Sequence, residues 1–282
     1  MTFNPVSALN IVECKTLISN KKPYALDLGS QTPSINKFFL ENLISNNKFV
    51  DDAQRIKFES LKENTDFSTR DFFLSVGYSD YNSIDLNGAY NSYQFDLNKN
   101  ICEFYKFKEN YDLVINNGTG EHVFNQYSLF LNIHNLTKTN GLMLNILPFI
   151  DWINHGFYNY NPIFFADLAA SNDYEIIKLS LANRNGAEIT LSNKDLNILL
   201  EQIKPNSKMS KFKELLKFAS EKLGPTILIF YLQKKIAEKV FNMPLQGKYL
   251  SDVKSIETDY AKQGEGSSKA ANQISDNNKR GK

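Results

Sequence analysis

Cysteine is scarce in this chain: only Cys14 and Cys102 occur, and neither sits in a Cys-x-x-Cys or Cys/His spacing. A disulfide framework and a structural zinc site are thereby disfavoured, no metal is expected, and a reducing, cytoplasmic setting is the default expectation. An excess of one charge is missing too. The 32 Lys and Arg stand against 31 Asp and Glu, a net charge of +1. Nothing electrostatic therefore argues for nucleic acid or an anionic membrane as partner. Long apolar runs are absent, and the longest, Ile227 to Leu232, falls far short of the roughly 20 residues a membrane span needs. The N-terminus lacks a basic segment followed by an apolar one, so it does not read as a signal peptide. Neither a Gly-x-Gly-x-x-Gly nor a phosphate-loop pattern occurs, which disfavours a nicotinamide-dependent oxidoreductase.

What is present is the composition of an ordinary globular protein. The 282 residues are 42% hydrophobic and 13% aromatic, enough for one large domain, or one domain with an appendage, and a sizeable core. The pattern alternates between strand and helix through the first two thirds. Strands are expected at residues 24–28, 81–86, 93–97, 111–115, 142–147 (ended by Pro148), 174–181 and 188–191. Helices are expected after Pro33, from the Ser68 cap to the Gly77 stop, through Val123–His134, and over 162–172. Such alternation implies an α/β fold, a Rossmann-like three-layer sandwich with a mostly parallel central sheet. Beyond it the pattern predicts a helical C-terminal extension, with helices over Lys194–Gln202, Lys208–Lys222 and Pro225–Val240. The division expected is 1–192 for the α/β domain, 193–260 for the extension and 261–282 for a disordered tail.

Polar groups recur where the strands end. The first strand runs into Asp27-Leu28-Gly29-Ser30-Gln31, the second into Asp85-Leu86, the third into Asp96-Leu97-Asn98, and the fourth into Asn116-Asn117-Gly118-Thr119-Gly120-Glu121-His122. A lone Asp after a strand is usually a turn or cap residue. Recurrence after successive strands points instead to one ligand lying across the carboxyl edge of the sheet, where open α/β sheets bind ligands. All three histidines, His122, His134 and His155, and the single Trp152 fall between the start of the fourth of these runs and residue 155.

The segments Leu26-Asp27-Leu28-Gly29-Ser30-Gln31, Ser83-Ile84-Asp85, Asp96-Leu97-Asn98 and Asp112-Leu113-Val114 with Gly118-Thr119-Gly120-Glu121-His122-Val123 resemble the ordered motifs of class I S-adenosylmethionine-dependent methyltransferases. The run His155-Gly156-Phe157-Tyr158-Asn159-Tyr160-Asn161-Pro162 is similar to a bacterial subgroup of them. The resemblance covers roughly residues 24 to 180. It implies S-adenosylmethionine as cofactor and a small-molecule acceptor, a sugar or other secondary metabolite. By that resemblance Asp27 and Gly29 border the methionine part of the cofactor, Asp85 holds the ribose hydroxyls, Asp96 lies near the adenine amino group, and Asn116 and Asn117 sit beside the sulfonium. Ser30, Gln31, Leu86, Leu97 and Gly118 belong to the same expected cofactor site. The chain departs from the family at the first motif, where one glycine stands in place of two or three.

A hydroxyl or amine acceptor needs a base, and imidazole titrates near neutral pH. His155 is the first choice and His122 the second. Glu121 and His122 read more readily as residues that set the helix start, and His134 falls on an apolar helical stripe. Trp152, Phe157, Tyr158 and Tyr160 have two readings, the lining of an acceptor pocket or the cap of the core. The depleted glycine motif supports a second function class, a non-catalytic binding or assembly protein of the same fold. The C-terminal helices have two readings as well, cover for the sheet or a homodimer contact.

Overall fold

The computed structural model describes residues 3–46, 51–63, 67–185, 187–191 and 209–245. The strands are β1 (Tyr24–Asp27), β2 (Asp80–Ser83), β3 (Tyr111–Asn117), β4 (Thr137–Ile150), β5 (Tyr174–Ala182), β6 (Glu188–Thr190) and β7 (Ile227–Lys235). The helices are α1 (Pro5–Leu17), α2 (Lys37–Asn46), α3 (Asp52–Glu63), α4 (Thr69–Val76), α5 (Ile101–Phe104), α6 (Gln126–Leu136), α7 (Pro162–Asn172) and α8 (Met209–Leu223).

The strands form one seven-stranded sheet in the order β2-β1-β3-β4-β7-β5-β6. Parallel pairing joins β1 to β2 and β3, and β3 to β4. β7 runs antiparallel to both β4 and β5, and β6 antiparallel to β5. Successive side chains of a strand point to opposite faces, and both faces are covered here. Ala25, Leu113, Ile115, Leu142 and Leu144 pack with α1, α2, α3 and α4. Leu26, Val114 and Met143 pack with α5, α6, α7 and α8. This is the three-layer, Rossmann-like α/β architecture that the alternation of elements implies.

Local chemistry sets the element ends. The Ser68 side chain accepts from the Asp71 N–H while the Asp71 carboxylate accepts from the Ser68 N–H, and Gly77 stops α4 at φ 100°. These are the capping box and left-handed glycine stop that orphaned helix-end groups favour. Pro162 occupies the first turn of α7, where its missing N–H costs nothing.

Four expectations are corrected. The apolar run expected as a helix over Pro225–Val240 is instead strand β7, with Ile227 to Leu232 all at most 2% exposed. Both faces of this strand are buried, so no alternation marks it in the sequence. Its place between β4 and β5 carries the sheet across the expected boundary at 192/193. Residues 93–97 do not form a strand. They make one bridge, Tyr93 to Ile84, and their rings gather with Tyr105 and Phe107. Pro148 does not end its strand, because β4 runs on to Ile150, pairing Pro148 with Leu228 just before a register shift. The stretch 46–66, too polar to assign from its pattern, contains α3. The helix expected over Lys194–Gln202 and the tail from 261 lie outside the described residues.

Strand order fixes where a ligand can enter. From β1 the chain crosses to β2 on one side, while β3 pairs on the other. The carboxyl ends of β1 and β3 therefore flank the switch point at which open α/β sheets form a crevice.

Candidate functional site

A cavity of about 360 Å³ opens at this switch point. Its lining comes from four segments: Leu28, Gly29, Ser30 and Gln31 after β1; Ile84, Asp85 and Leu86 after β2; Phe95, Asp96, Leu97 and Asn98; and Gly118, Thr119, His122 and Val123 after β3. The β1 and β3 loops touch, since a side chain at residue 29 would run into the Thr119 hydroxyl. That close approach is one a Cβ forbids, and it gives the lone glycine of the first motif its physical reason.

The polar groups of the cavity are engaged from within. Asp85 Oδ2 accepts from the Ser30 N–H at 3.2 Å and the Ser30 hydroxyl at 3.0 Å, while Oδ1 accepts from the Asn87 N–H at 3.1 Å. Asp96 Oδ1 accepts from the backbone and side-chain nitrogens of Asn98, both at 2.9 Å. The Gln31 amide donates to the Asn117 carbonyl at 2.6 Å and accepts from Asn117 Nδ2 at 2.9 Å.

Three expected cofactor residues lie behind the lining. Asp27 is buried within β1, where Tyr81 OH donates to it at 3.4 Å, and burial pushes its carboxyl well above the usual range. Asn116 accepts from the Gly120 N–H at 2.9 Å and donates to Asn145 Oδ1 at 3.1 Å. Asn117 donates to Ser7 Oγ at 3.1 Å and to Gln31. Side chains alternate along β3, and these two are spent on the sheet and the loop rather than on the cavity.

The histidines divide. His134 is buried between Tyr174 OH at 2.6 Å and the Lys239 carbonyl at 2.7 Å. His122 and His155 meet instead, with ring centroids 5.1 Å apart. Between them lies Glu121, whose side chain is fully buried. Glu121 Oε1 is 3.3 Å from His155 Nε2 and 3.8 Å from His122 Nε2. Neither carboxylate oxygen has a hydrogen-bond partner among the described residues. Burial pushes the Glu121 carboxyl up to about 7. Burial also lowers both imidazoles, and for His155 the neighbouring His122 adds to the effect.

The loop after β4 makes this meeting. Asp151 (φ 58°) and Asn154 (φ 57°) take left-handed backbone on either side of Trp152 and Ile153, a conformation Asp and Asn tolerate better than most residues. Gly156 then rests on Glu121, where a Cβ would stand 2.8 Å from Glu121 Cγ and 2.9 Å from its carbonyl oxygen. The Phe157 N–H donates to that carbonyl at 2.7 Å. Sequence reasoning gave Glu121 to helix packing. The only hint of its setting was a His-Gly pair 34 positions later, and nothing local connects the two.

The aromatic residues also separate. Trp152 is buried, donates Nε1–H to the Ile227 carbonyl at 3.0 Å, and lies with its ring 4.9 Å from His155 and 4.4 Å from the Arg184 guanidinium. Phe157 is exposed beside Phe124. Tyr158 and Tyr160 line a second cavity of about 380 Å³ with Gln126, Phe164 and Asp167. Tyr160 OH donates to Gln126 Oε1 at 2.7 Å, and Gln126 in turn donates to the Gly120 carbonyl at 2.9 Å.

No protein-family model matches the chain, and no curated protein matches it by sequence. Solved structures similar to it include the O-methyltransferase from the trans-AT PKS multienzyme of Brevibacillus brevis in complex with S-adenosyl-L-homocysteine, at 12% identity over 97% of this chain and 83% of that one, with a TM-score of 0.42. A SAM-dependent methyltransferase from Archaeoglobus fulgidus is 11% identical over 81% of this chain and 92% of that one, with a TM-score of 0.41. TehB from Haemophilus influenzae is 14% identical over 80% of this chain and 61% of that one, with a TM-score of 0.39. Among the described residues no helix is long and apolar enough to cross a membrane.

Proposed function

We propose that this protein is an S-adenosylmethionine-dependent methyltransferase acting on a hydroxyl or amine of a small molecule such as a sugar or other secondary metabolite. One observation carries the reading. Four sequence segments, each following its own strand or turn, line a single cavity at the switch point of the sheet.

The residues present fit such a cofactor. A carboxylate at the end of β2 suits a ribose diol, and Asp85 is that carboxylate once the diol replaces the Ser30 hydroxyl. Leu86, Asp96 and Leu97 would bound the adenine. Gly29, Ser30, Gly118 and Thr119 would bound the amino-acid end, where no pyrophosphate calls for further glycines. The bound cofactor supplies a methyl group already activated on a sulfonium. What the protein adds is alignment of the acceptor and a destination for its proton. His122 lines the cavity wall and His155 stands behind it against Glu121, so the proton is received at this cluster.

A second reading, a binding or assembly protein of this fold without methyl transfer, is favoured by one observation. Ser30 already hydrogen-bonds Asp85, and Gln31 already hydrogen-bonds the carbonyl and side-chain nitrogen of Asn117. Thermal unfolding with S-adenosylhomocysteine separates the two, because a ligand of the native state raises stability by mass action. The methyltransferase reading expects an upward shift that Asp85→Ala abolishes, with affinity reduced about tenfold or more, or about 1.4 kcal/mol per factor of ten. No shift in the wild-type chain removes this reading.

A further inference from the structure

We propose that Glu121, His122 and His155 form a binding site for one divalent transition-metal ion, of the zinc, manganese or cobalt kind, at the border of the switch-point cavity. Geometry is the first ground. One ligand atom from each residue lies within 4.8 Å of the others, with Glu121 Oε1 at 3.3 Å from His155 Nε2 and 3.8 Å from His122 Nε2. Donors around a tetrahedral zinc ion, with bonds of roughly 2.0–2.2 Å, stand about 3.3–3.5 Å apart. Small side-chain rotations therefore close the set onto one ion.

The second ground is the carboxylate. Glu121 is fully buried, and neither oxygen has a hydrogen-bond partner among the described residues. His155 Nε2 faces it, buried and equally unsatisfied. Buried charges are kept where they are paired or coordinate a metal. The Arg184 guanidinium stacks over the face of Trp152, the ring that also packs on His155, and makes no ion pair with Glu121 among the described residues. A cation seated between Glu121 and the two imidazoles would satisfy all three groups together.

The donor set bounds the ion. Two imidazole nitrogens and one carboxylate oxygen, without sulfur, suit zinc, manganese, iron(II) or cobalt rather than copper(I). Calcium and magnesium prefer all-oxygen shells. Three protein ligands leave a coordination position open, as catalytic rather than structural zinc sites do. The open side is set by exposure. The Glu121 side chain is sealed at 0%, whereas those of His155 and His122 are 25% and 46% exposed. The free position thus faces solvent and the cavity that His122 lines, where a water molecule or the hydroxyl or carboxylate of a small ligand can enter. The site is braced from behind, with Gly156 and the Phe157 N–H fixing the Glu121 backbone and Trp152 packing on His155.

The experiment uses the full chain without a histidine tag, stripped with chelator and free of any cofactor, so its outcome is independent of methyl transfer. Cobalt(II) is titrated in and read by visible absorption, and zinc by calorimetry. One ion per chain is expected. His122→Ala, at a half-exposed position that tolerates truncation, and Glu121→Gln should each weaken uptake about tenfold or more, while circular dichroism stays unchanged. No stoichiometric uptake by the wild-type chain overturns the proposal. So does uptake by both folded variants equal to that of the wild type.

Discussion

Two histidine clusters lie in this molecule, and they differ in how their polar groups are answered. Around His134 every polar group is answered: the imidazole bonds Tyr174 and the Lys239 carbonyl, and nearby Lys235 donates to the carbonyls of His134 and Thr137 at 3.2 Å and meets Glu238. Around Glu121 the carboxylate has no hydrogen-bond partner among the described residues, nor has His155 Nε2. A satisfied buried network rigidifies a fold, whereas an unsatisfied one is costly and needs another explanation. The first cluster ties α6 to β5 and to the chain after β7. The second borders the cavity at the carboxyl edge of β1 and β3. What sets the second cluster apart is a buried carboxylate with no hydrogen-bond partner among the described residues.

The comparison is broken most severely at His134. His134→Ala strands Tyr174 OH and the Lys239 carbonyl and opens a cavity, so it should cost about 2–4 kcal/mol in urea denaturation. Glu121→Leu in the metal-free chain should do the opposite, matching or exceeding wild-type stability, because it removes a buried carboxylate that lacks a partner. Equal losses in the two variants would erase the distinction.

A smaller effect is expected at the contact that builds the second cluster. Gly156→Ala presses a methyl group against the Glu121 backbone and side chain. It should cost about 1–3 kcal/mol and reduce metal uptake. A variant as stable as the wild type, with unchanged uptake, would show that the loop does not hold Glu121 in place.

The smallest effect is in pH. Burial holds the His134 imidazole below its ordinary value. As pH falls through about 6.5, the unfolded chain takes up this proton before the folded chain does. Its contribution to stability is therefore present at neutral pH and is lost as pH drops toward the lower folded value. His134→Gln should flatten the fall in unfolding free energy as pH drops below about 6.5. An unchanged slope would mean that His134 does not carry it.

Much of the fold is legible in the chain because its signals are local. The Ser68 and Asp71 cap, the Gly77 stop, Pro162 at the start of α7 and the apolar run of β3 each declare an element within a few residues. β7 is not legible, since a central strand buried on both faces has the same apolar run as a buried helix. Residues 93–97 mislead in the other direction. They alternate like a strand, yet their aromatic rings collect on Tyr105 and Phe107 instead of pairing along a neighbour. Of the candidate site, Gly29, Ser30, Gln31, Asp85, Leu86 and Gly118 after their strands, with Asp96 and Leu97 from the aromatic turn, meet at one cavity. Asp27, Asn116 and Asn117, from the same runs, do not line it, because their side chains are taken up by hydrogen bonds to Tyr81, to Asn145 and the Gly120 N–H, and to Ser7 and Gln31.

By itself the sequence determined the alternation of elements, most of their ends, and the strand ends at which polar groups gather, because helix caps, turns and apolar periods act over a few residues. Only the tertiary structure decided that β7 enters the sheet between β4 and β5, and that His134 is answered while His122 and His155 close on Glu121. Those outcomes depend on strand pairing across about 80 residues and on a loop laid over a turn 34 positions earlier, and contacts at such separation leave no local mark on either segment.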